Sequence, residues 1–190
     1  MLELGCGHLD FTLTYLAPAA ASVVATDVTR RFAAETALPS DVTFKIEDAL
    51  DLSFPDESFD CVIALEVIEH VRDEVRFVAE GLRVTRPGGT VIWTTPNRFR
   101  LTALVRYLVG KPIRFPHTYA VDPVLGDITH ERELSYGDHQ RLFSRFSDAL
   151  SSARAHGIWL GVPAWDIGIL QAPSPIDRLA FNWHAVLVKR

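Results

Sequence analysis

The sequence predicts an α/β domain with a mainly parallel sheet and helices on both faces of it. Short apolar runs alternate with segments of helical periodicity through the first half of the chain, as in successive β-α-β units. The 190 residues fit a single domain over residues 1–190, and 48% hydrophobic with 23% charged residues is typical of a globular core. The two cysteines, Cys6 and Cys61, lie in apolar runs, which indicates a reduced, cytoplasmic protein.

The first half of the chain accounts for five strands and three helices. We predict strands over Met1–Leu4, Val23–Asp27, Thr43–Glu47, Asp60–Leu65 and Thr90–Thr95. We predict helices over Phe11–Leu16, Thr29–Thr36 and Asp73–Val84, with a turn over residues 86–89 between the third helix and the fifth strand.

The second half has a different pattern. Apolar residues at helical spacing from Leu101 to Val109 predict an amphipathic helix, followed by a proline-containing loop. Ser135 and Asp138 form a variant capping box that predicts a helix running to about Ala155. Two more strands are predicted around Ile158–Val162 and Trp183–Val188.

The first predicted strand begins at residue 1. Domains of this layout usually carry a helix ahead of that strand, so we expect either a chain that lacks this helix or a start that was assigned late. We find no signal peptide and no apolar run of the roughly 18 residues that a bilayer span needs.

The segment LELGCG (residues 2–7) predicts a strand that runs into a glycine turn. Glycines there let the backbone approach a ligand closely, and Asp27 at the end of the second strand can accept hydrogen bonds from ribose hydroxyls. A dinucleotide fingerprint starting at Gly5 would need glycine at position 10, where the chain has Asp10. This makes a nicotinamide oxidoreductase the least favoured enzyme class.

The chain resembles the class I S-adenosylmethionine-dependent methyltransferases, and within them the type-11 group and the ubiquinone-biosynthesis O-methyltransferases. The resemblance is carried by LELGCG (2–7), VVATD (23–27), EDALDLSFPDESFDCVIALEVIEHV (47–71) and LRVTRPGGTVIWTTPN (82–97). It implies a Rossmann-like fold whose mainly parallel sheet has an antiparallel final strand. It also implies S-adenosyl-L-methionine as the cofactor.

The resemblance assigns nine residues to the cofactor pocket. Glu3, Gly5 and Gly7 would line the methionine end, Asp27 would hold the ribose, Val28 would pack on the adenine, Asp48 and Ala49 would meet its amino group, and Leu65 with Glu66 would lie beneath the cofactor. The family usually has a third glycine where this chain has Leu9. We therefore expect the Leu9 side chain to crowd the amino-acid end of the cofactor.

Glu66, Glu69 and His70 form an E-x-x-E-H segment where a strand gives way to a helix. Two carboxylates and an imidazole suit a divalent ion such as Mg²⁺, Mn²⁺ or Zn²⁺. Small-RNA 2′-O-methyltransferases have similar segments, which suggests His130 as a fourth ligand. Without a metal, His70 or His130 would serve as general base, with His117 a weaker candidate and Glu66 as a further catalytic residue. The alternative is acidic residues that stabilise a helix N-terminus only.

The segment 97–116 contains five cations and no acid, although the net charge of the chain is −5. We expect residues 97–134 to form an insert over the substrate pocket. A basic amphipathic insert favours an anionic or lipid-like acceptor, or peripheral membrane contact through residues 97–116. The alternative is a solvated helix face whose apolar stripe packs on the domain.

These observations predict a methyltransferase that acts on a small-molecule acceptor, with oxygen as the preferred acceptor atom. The first alternative is a metal-dependent RNA 2′-O-methyltransferase, which the acidic balance of the chain disfavours, as it disfavours nucleic-acid binding in general. The second alternative is a degenerate methyltransferase-like domain that binds a partner without catalysis.

Overall fold

The computed structural model describes residues 1–30, 37–122, 126–159, 170–171 and 182–190. In chain order, the strands of its main sheet are β1 (Leu2–Leu4), β2 (Val23–Asp27), β3 (Val42–Ile46), β4 (Phe59–Leu65), β5 (Thr85–Pro96), β8 (Leu150–Trp159), β9 (Leu170–Gln171) and β10 (Asn182–Lys189). A separate hairpin contains β6 (His117–Asp122) and β7 (Gly126–His130). The α-helices are α1 (Glu74–Val84), α2 (Leu101–Leu108) and α3 (Tyr136–Arg145).

The strands of the main sheet lie in the order β3-β2-β1-β4-β5-β10-β8-β9. The first five strands of that order pair in parallel, and β10 is antiparallel to both β5 and β8. The predicted mainly parallel sheet with an antiparallel final strand is therefore confirmed. Because the carboxyl ends of parallel strands meet at one edge, the residues that follow β1, β2 and β4 come together there.

Alternating side chains of the strands form cores on the two faces of the sheet. On one face, Val62 and Trp93 pack with Phe77 and Leu82 of α1 and with Leu142 of α3. The other face is covered by a π-helical turn over Thr12–Leu16 and a 3₁₀ turn over Ala17–Ala19. Leu16 of these turns packs against strand side chains that point to this face, among them Val23 of β2 and Ile63 of β4.

The segment 97–134 leaves the sheet and returns to it at the same position. Asn97 and Leu134 form a parallel bridge, and the Arg98 amide donates to the Leu134 carbonyl at 3.2 Å. Between these ends lie α2 and the β6–β7 hairpin. None of the helices in the described residues is long and apolar enough to cross a bilayer.

Three sequence predictions need correction. The helix that begins after the Ser135 cap ends at Arg145, and a 3₁₀ turn follows over Ser147–Ala149. Residues from Leu150 to Trp159 form β8, because this segment pairs along the edge of β10. The predicted proline-containing loop includes the β6–β7 hairpin. Residues 29–30 are not helical, and the rest of the helix predicted over Thr29–Thr36 lies outside the described residues, as do residues 160–162 of the predicted strand.

Candidate active site

The glycine turn after β1 has the backbone conformation that its residues predict. Gly5 and Gly7 both have positive φ, and the Cys6 amide donates to the Thr26 carbonyl at 2.9 Å, which ties the turn to β2. A Cβ atom at Gly5 would lie 2.5 Å from Cγ2 of Val67, whereas one at Gly7 would meet nothing within 4 Å. Gly5 is thus required by close packing, and the turn presents open space at Gly7.

Asp27, at the carboxyl end of β2, fixes this turn. Its carboxylate accepts hydrogen bonds from the backbone amides of Gly7 at 3.0 Å and Thr29 at 3.3 Å. A carboxylate can accept about four hydrogen bonds, so it can still accept from two ligand hydroxyls. The predicted ribose-binding residue is therefore held in place by the same turn that would receive the rest of the ligand.

A cavity of about 470 Å³ opens beside the turn. Its wall contains six of the predicted cofactor residues: Gly5, Asp27, Val28, Asp48, Ala49 and Glu66. Glu66 and His70 of the E-x-x-E-H segment line the same cavity. The sequence analysis did not assign the further wall residues Thr26, Glu47, Leu50, Val67, Val71, Arg72 and Ile128. Ile128 lies on β7, and only a prediction of the hairpin could have located it.

Glu66 has a positive φ of 55° directly after β4. Its amide donates to the Thr94 carbonyl at 3.1 Å, and its carboxylate accepts from the Asn182 side chain at 3.1 Å. Left-handed backbone at a non-glycine residue is uncommon and often occurs at functional sites. The conformation turns the chain away from the sheet and sets Glu66 at the cavity wall.

Glu69, His70 and His130 form a compact group in which one ligand atom from each lies within 4.8 Å of the others. The rings of His70 and His130 are 4.8 Å apart. Three of the four predicted metal ligands are therefore brought together, and Glu66 is outside this group. Glu69 and His70 come from the E-x-x-E-H segment, and His130 is the last residue of β7.

The two histidines are oriented by hydrogen bonds at Nδ1. His70 Nδ1 lies 2.9 Å from the Thr129 carbonyl, and His130 Nδ1 lies 3.2 Å from the Glu133 carboxylate. These acceptors favour a proton on Nδ1, which leaves the lone pair of each ring on Nε2. Burial would raise the pKa of Glu133, but hydrogen bonds from His130 and Arg100 lower it below its ordinary value.

Burial also shifts the pKa of Glu69 and His70. Glu69 is fully buried and neither carboxyl oxygen has a hydrogen-bond partner in the structure. Burial, with the nearby Glu66 charge, raises the pKa of Glu69 to about 8. Burial lowers the pKa of His70, so that its imidazole is neutral at pH 7 and can accept a proton.

His117, at the start of β6, faces His130 across the hairpin. The two residues are cross-strand partners, and their rings are 5.4 Å apart. His117 Nδ1 is buried without a hydrogen-bond partner. The hairpin therefore brings the weaker candidate base next to the stronger ones.

Residues 2–93 match the family model described as a methyltransferase domain. Over these residues the chain is therefore similar to S-adenosylmethionine-dependent methyltransferases.

Two curated relatives show the same similarity, and one solved structure shares the fold. A probable S-adenosylmethionine-dependent methyltransferase of Mycolicibacterium smegmatis is 36% identical over 99 residues, which cover 52% of this chain and 38% of that protein. The 2-methyl-6-phytyl-1,4-hydroquinone methyltransferase of Synechocystis is 48% identical over 56 residues, which cover 28% and 18% of the two chains. The methyltransferase structure from Mesorhizobium loti shares the fold with a TM-score of 0.65 at 17% identity, covering 100% of this chain and 89% of that one. The chain spans less than two fifths of the curated relatives cited here.

Three residues that the resemblance assigns to the cofactor pocket do not line the described cavity. Glu3 is buried, and its carboxylate accepts a hydrogen bond from the Thr12 hydroxyl behind the glycine turn. Leu65 packs with the core around Leu16 and Val23. Gly7 is part of the glycine turn, but it does not line the cavity.

The expectation that Leu9 crowds the cofactor is wrong. Leu9 has a positive φ of 67°, which directs its side chain into a core with Cys6 and Ala25, where it is fully buried. A left-handed backbone, which favours glycine, is therefore kept here by a leucine that does not line the cavity.

Proposed function

We propose that the chain transfers a methyl group from S-adenosylmethionine to an oxygen atom of a small acceptor. The observation that supports this most strongly is the shared cavity, whose wall contains both the predicted cofactor residues and His70. S-adenosylmethionine supplies an activated methyl group when bound. The residues of the chain would hold the adenosine, orient the acceptor hydroxyl and remove its proton.

Gly5, Asp27 and Asp48 fit the nucleoside part of the cofactor. The Asp27 carboxylate is already oriented by two backbone amides and retains acceptor capacity toward ribose hydroxyls. The Asp48 carboxylate accepts from the Leu50 amide at 2.8 Å, which fixes the turn beside Ala49 at the adenine end of the cavity. Pre-oriented acceptors of this kind reduce the entropic cost of binding.

In the absence of a bound metal, His70 is the proposed general base. Its neutral imidazole has the Nδ1 proton engaged with the Thr129 carbonyl, so Nε2 is the atom that would take the proton from the acceptor hydroxyl. His130 would assist or replace it, because its ring lies 4.8 Å away. Alignment of the hydroxyl in a cavity that excludes most water would account for much of the rate enhancement.

The acceptor class follows from the insert and from the relatives. The name of the Synechocystis relative gives its acceptor as 2-methyl-6-phytyl-1,4-hydroquinone, an aromatic diol with a long apolar tail. The apolar and cationic residues of the insert suit an acceptor of the same kind. We therefore infer a lipid-like or quinol-type acceptor.

The cofactor assignment is tested by titration of the chain with S-adenosylhomocysteine in a calorimeter. We expect Asp27→Asn to weaken binding by about 1–3 kcal/mol, the usual cost of losing charged hydrogen bonds. The matched control Asp148→Asn changes an exposed carboxylate that does not line the cavity and should leave affinity unchanged. Absence of binding by the unaltered chain would favour a degenerate domain.

We further propose that Glu69, His70 and His130 hold a divalent cation such as Mg²⁺ or Mn²⁺. The supporting observation is the buried Glu69 carboxyl, which has no hydrogen-bond partner and lies against two imidazoles whose Nδ1 atoms are occupied. A bound cation would supply Lewis-acid polarisation of an acceptor oxygen. Glu66 lies outside this set and stays with the cofactor cavity in our proposal.

The metal is tested by titration of the metal-free chain with MnCl₂, followed by calorimetry. His130→Ala and Glu69→Gln should each abolish the signal, whereas Glu57→Gln, which alters an exposed carboxylate, should not. Retained Mn²⁺ binding in His130→Ala would contradict the ligand set. If Mn²⁺ binds, turnover should be compared between RNA 3′ ends and quinols, since metal dependence is shared with the RNA 2′-O-methyltransferase alternative.

A further inference from the structure

The helix α2 contributes almost nothing to the core of the domain. None of its residues is buried, and its apolar side chains are exposed to solvent. The exposed fractions are 51% at Val105, 68% at Tyr107 and 73% at Leu108, and Phe99 just before the helix is 59% exposed. Single exposed apolar residues are common, but a contiguous group on one short helix indicates a surface that binds something.

The charges around α2 are of one sign. Residues 97–116 contain five cations and no acid. Arg100 is paired with Glu133 of the active site, and Arg98 lies over the Phe115 ring. The other three, Arg106, Lys111 and Arg114, are exposed and form no ion pair with the described residues.

We propose that α2, together with residues 111–114, docks this methyltransferase on an anionic lipid bilayer. Exposed apolar side chains beside unpaired cations are the composition of helices that lie in the membrane interface. Anionic headgroups would neutralise Arg106, Lys111 and Arg114 while Val105 and Leu108 enter the acyl boundary. A symmetric dimer would instead bring this patch against its own copy and oppose like charges, so a bilayer is the favoured occupant.

The docking face adjoins the active site through an apolar cavity. The cavity has a volume of about 410 Å³ and lies between α2 and the chain that precedes β6, with Phe99, Leu104, Ile113 and Phe115 in its wall. The Phe115 ring is 5.9 Å from the ring of His117, which is 5.4 Å from His130. A lipid-like acceptor could thus reach the histidines from the bound face, a step that rests on the proposed function, whereas docking itself does not.

The test is co-sedimentation of the chain with vesicles of phosphatidylcholine, with or without 30 mol% phosphatidylserine. Each Lys or Arg near an anionic surface strengthens binding by about fivefold. The triple variant Arg106→Gln/Lys111→Gln/Arg114→Gln should therefore bind anionic vesicles at least tenfold more weakly than the unaltered chain. Val105→Ser/Leu108→Ser should weaken binding while leaving the charge unchanged. A matched control, Arg145→Gln/Arg154→Gln/Arg190→Gln, removes three cations from other parts of the chain.

Selective binding to anionic vesicles that is lost in the first two variants and kept in the control supports the proposal. It is overturned if the unaltered chain does not bind anionic vesicles, or if the control variant loses as much affinity. Concentration-dependent dimerisation that Val105→Ser/Leu108→Ser abolishes would also overturn it in favour of a second copy. Affinity for S-adenosylhomocysteine, measured on the same samples, separates failure of docking from failure of the cofactor site.

Discussion

At the scale of single residues, Leu9 shows how one side chain can occupy a position that favours glycine. Its left-handed backbone is unfavourable by about 1 kcal/mol for a residue with a Cβ atom. A fully buried leucine contributes about 2–5 kcal/mol relative to alanine, which is larger than the backbone penalty. Packing with Cys6 and Ala25 therefore decides the identity of this residue.

Substitution of Leu9 separates the contribution of side-chain packing from the penalty of the left-handed backbone. Leu9→Ala should lower the free energy of unfolding by about 3 kcal/mol, because the packing is lost while the backbone remains strained. Leu9→Gly should be less destabilising than Leu9→Ala by about 1 kcal/mol, because glycine accepts the positive φ. Urea denaturation measures both, and equal or reversed losses would show that the backbone is unstrained. Affinity for S-adenosylhomocysteine should be unchanged in whatever fraction is folded.

Glu69 should make stability depend on pH. Its folded-state pKa is about 8, against an ordinary value of 4.5. Between these values the unfolded chain releases the proton while the folded chain keeps it, so the free energy of unfolding falls as pH rises, by up to about 1.4 kcal/mol per pH unit. Glu69→Gln should flatten this part of the profile in metal-free buffer, and Glu57→Gln should not. An unchanged slope in Glu69→Gln would show that this carboxyl is ionised at neutral pH.

At the scale of elements, the N-terminus of α3 depends on a capping box. The Ser135 hydroxyl accepts from the Asp138 amide, and the Asp138 carboxylate accepts from the Ser135 amide at 2.8 Å. Ser135→Ala should lower the free energy of unfolding by about 1 kcal/mol. Ser144→Ala changes an exposed serine in the same helix and serves as the control in urea denaturation. A loss of the same size in both variants would argue against the cap.

The sequence predicted best those elements that local residues determine. The strands β2 and β4 are apolar runs buried within the sheet, and the α3 cap is encoded by two residues three positions apart. Residues 146–155 continue an apolar pattern compatible with helix, but pairing with β10, about 30 residues later, makes the residues from Leu150 onward a strand. The hairpin β6–β7 likewise depends on cross-strand pairing that no local signal shows.

The residues of the site also divide into those that the local sequence locates and those that depend on strand pairing. Gly5, Asp27 and Asp48 could be located from sequence because they follow predicted strands, which parallel pairing brings to one edge. The contact of His130 with His70, and the nearness of His117, depend on the hairpin and could only be inferred through the resemblance.

At the scale of the whole molecule, acid should weaken the domain through His139. This residue of α3 is fully buried against the rings of Trp93 and Trp183, and burial lowers its pKa to about 4 from 6.5. Between those values the unfolded chain binds a proton that the folded chain does not, so stability falls with falling pH by up to about 1.4 kcal/mol per unit. His139→Gln should flatten the denaturation profile between pH 6.5 and 4, and His8→Gln, at an exposed position, should leave it steep. A steep profile in both would assign the acid sensitivity to other groups.

The hairpin β6–β7 is joined to the sheet at the position where chemistry is proposed to occur. The amide of Glu131, just after β7, donates to the Glu69 carbonyl at 2.8 Å, and the Thr129 carbonyl holds His70. Asp27 and Asp48, in contrast, belong entirely to the sheet side. In the proposed function, Asp27 and Asp48 hold the cofactor from the sheet side, whereas the hairpin orients His70 and supplies His130 toward the acceptor. Exchange of the hairpin between related domains would be a way to change what is methylated while keeping the donor site intact.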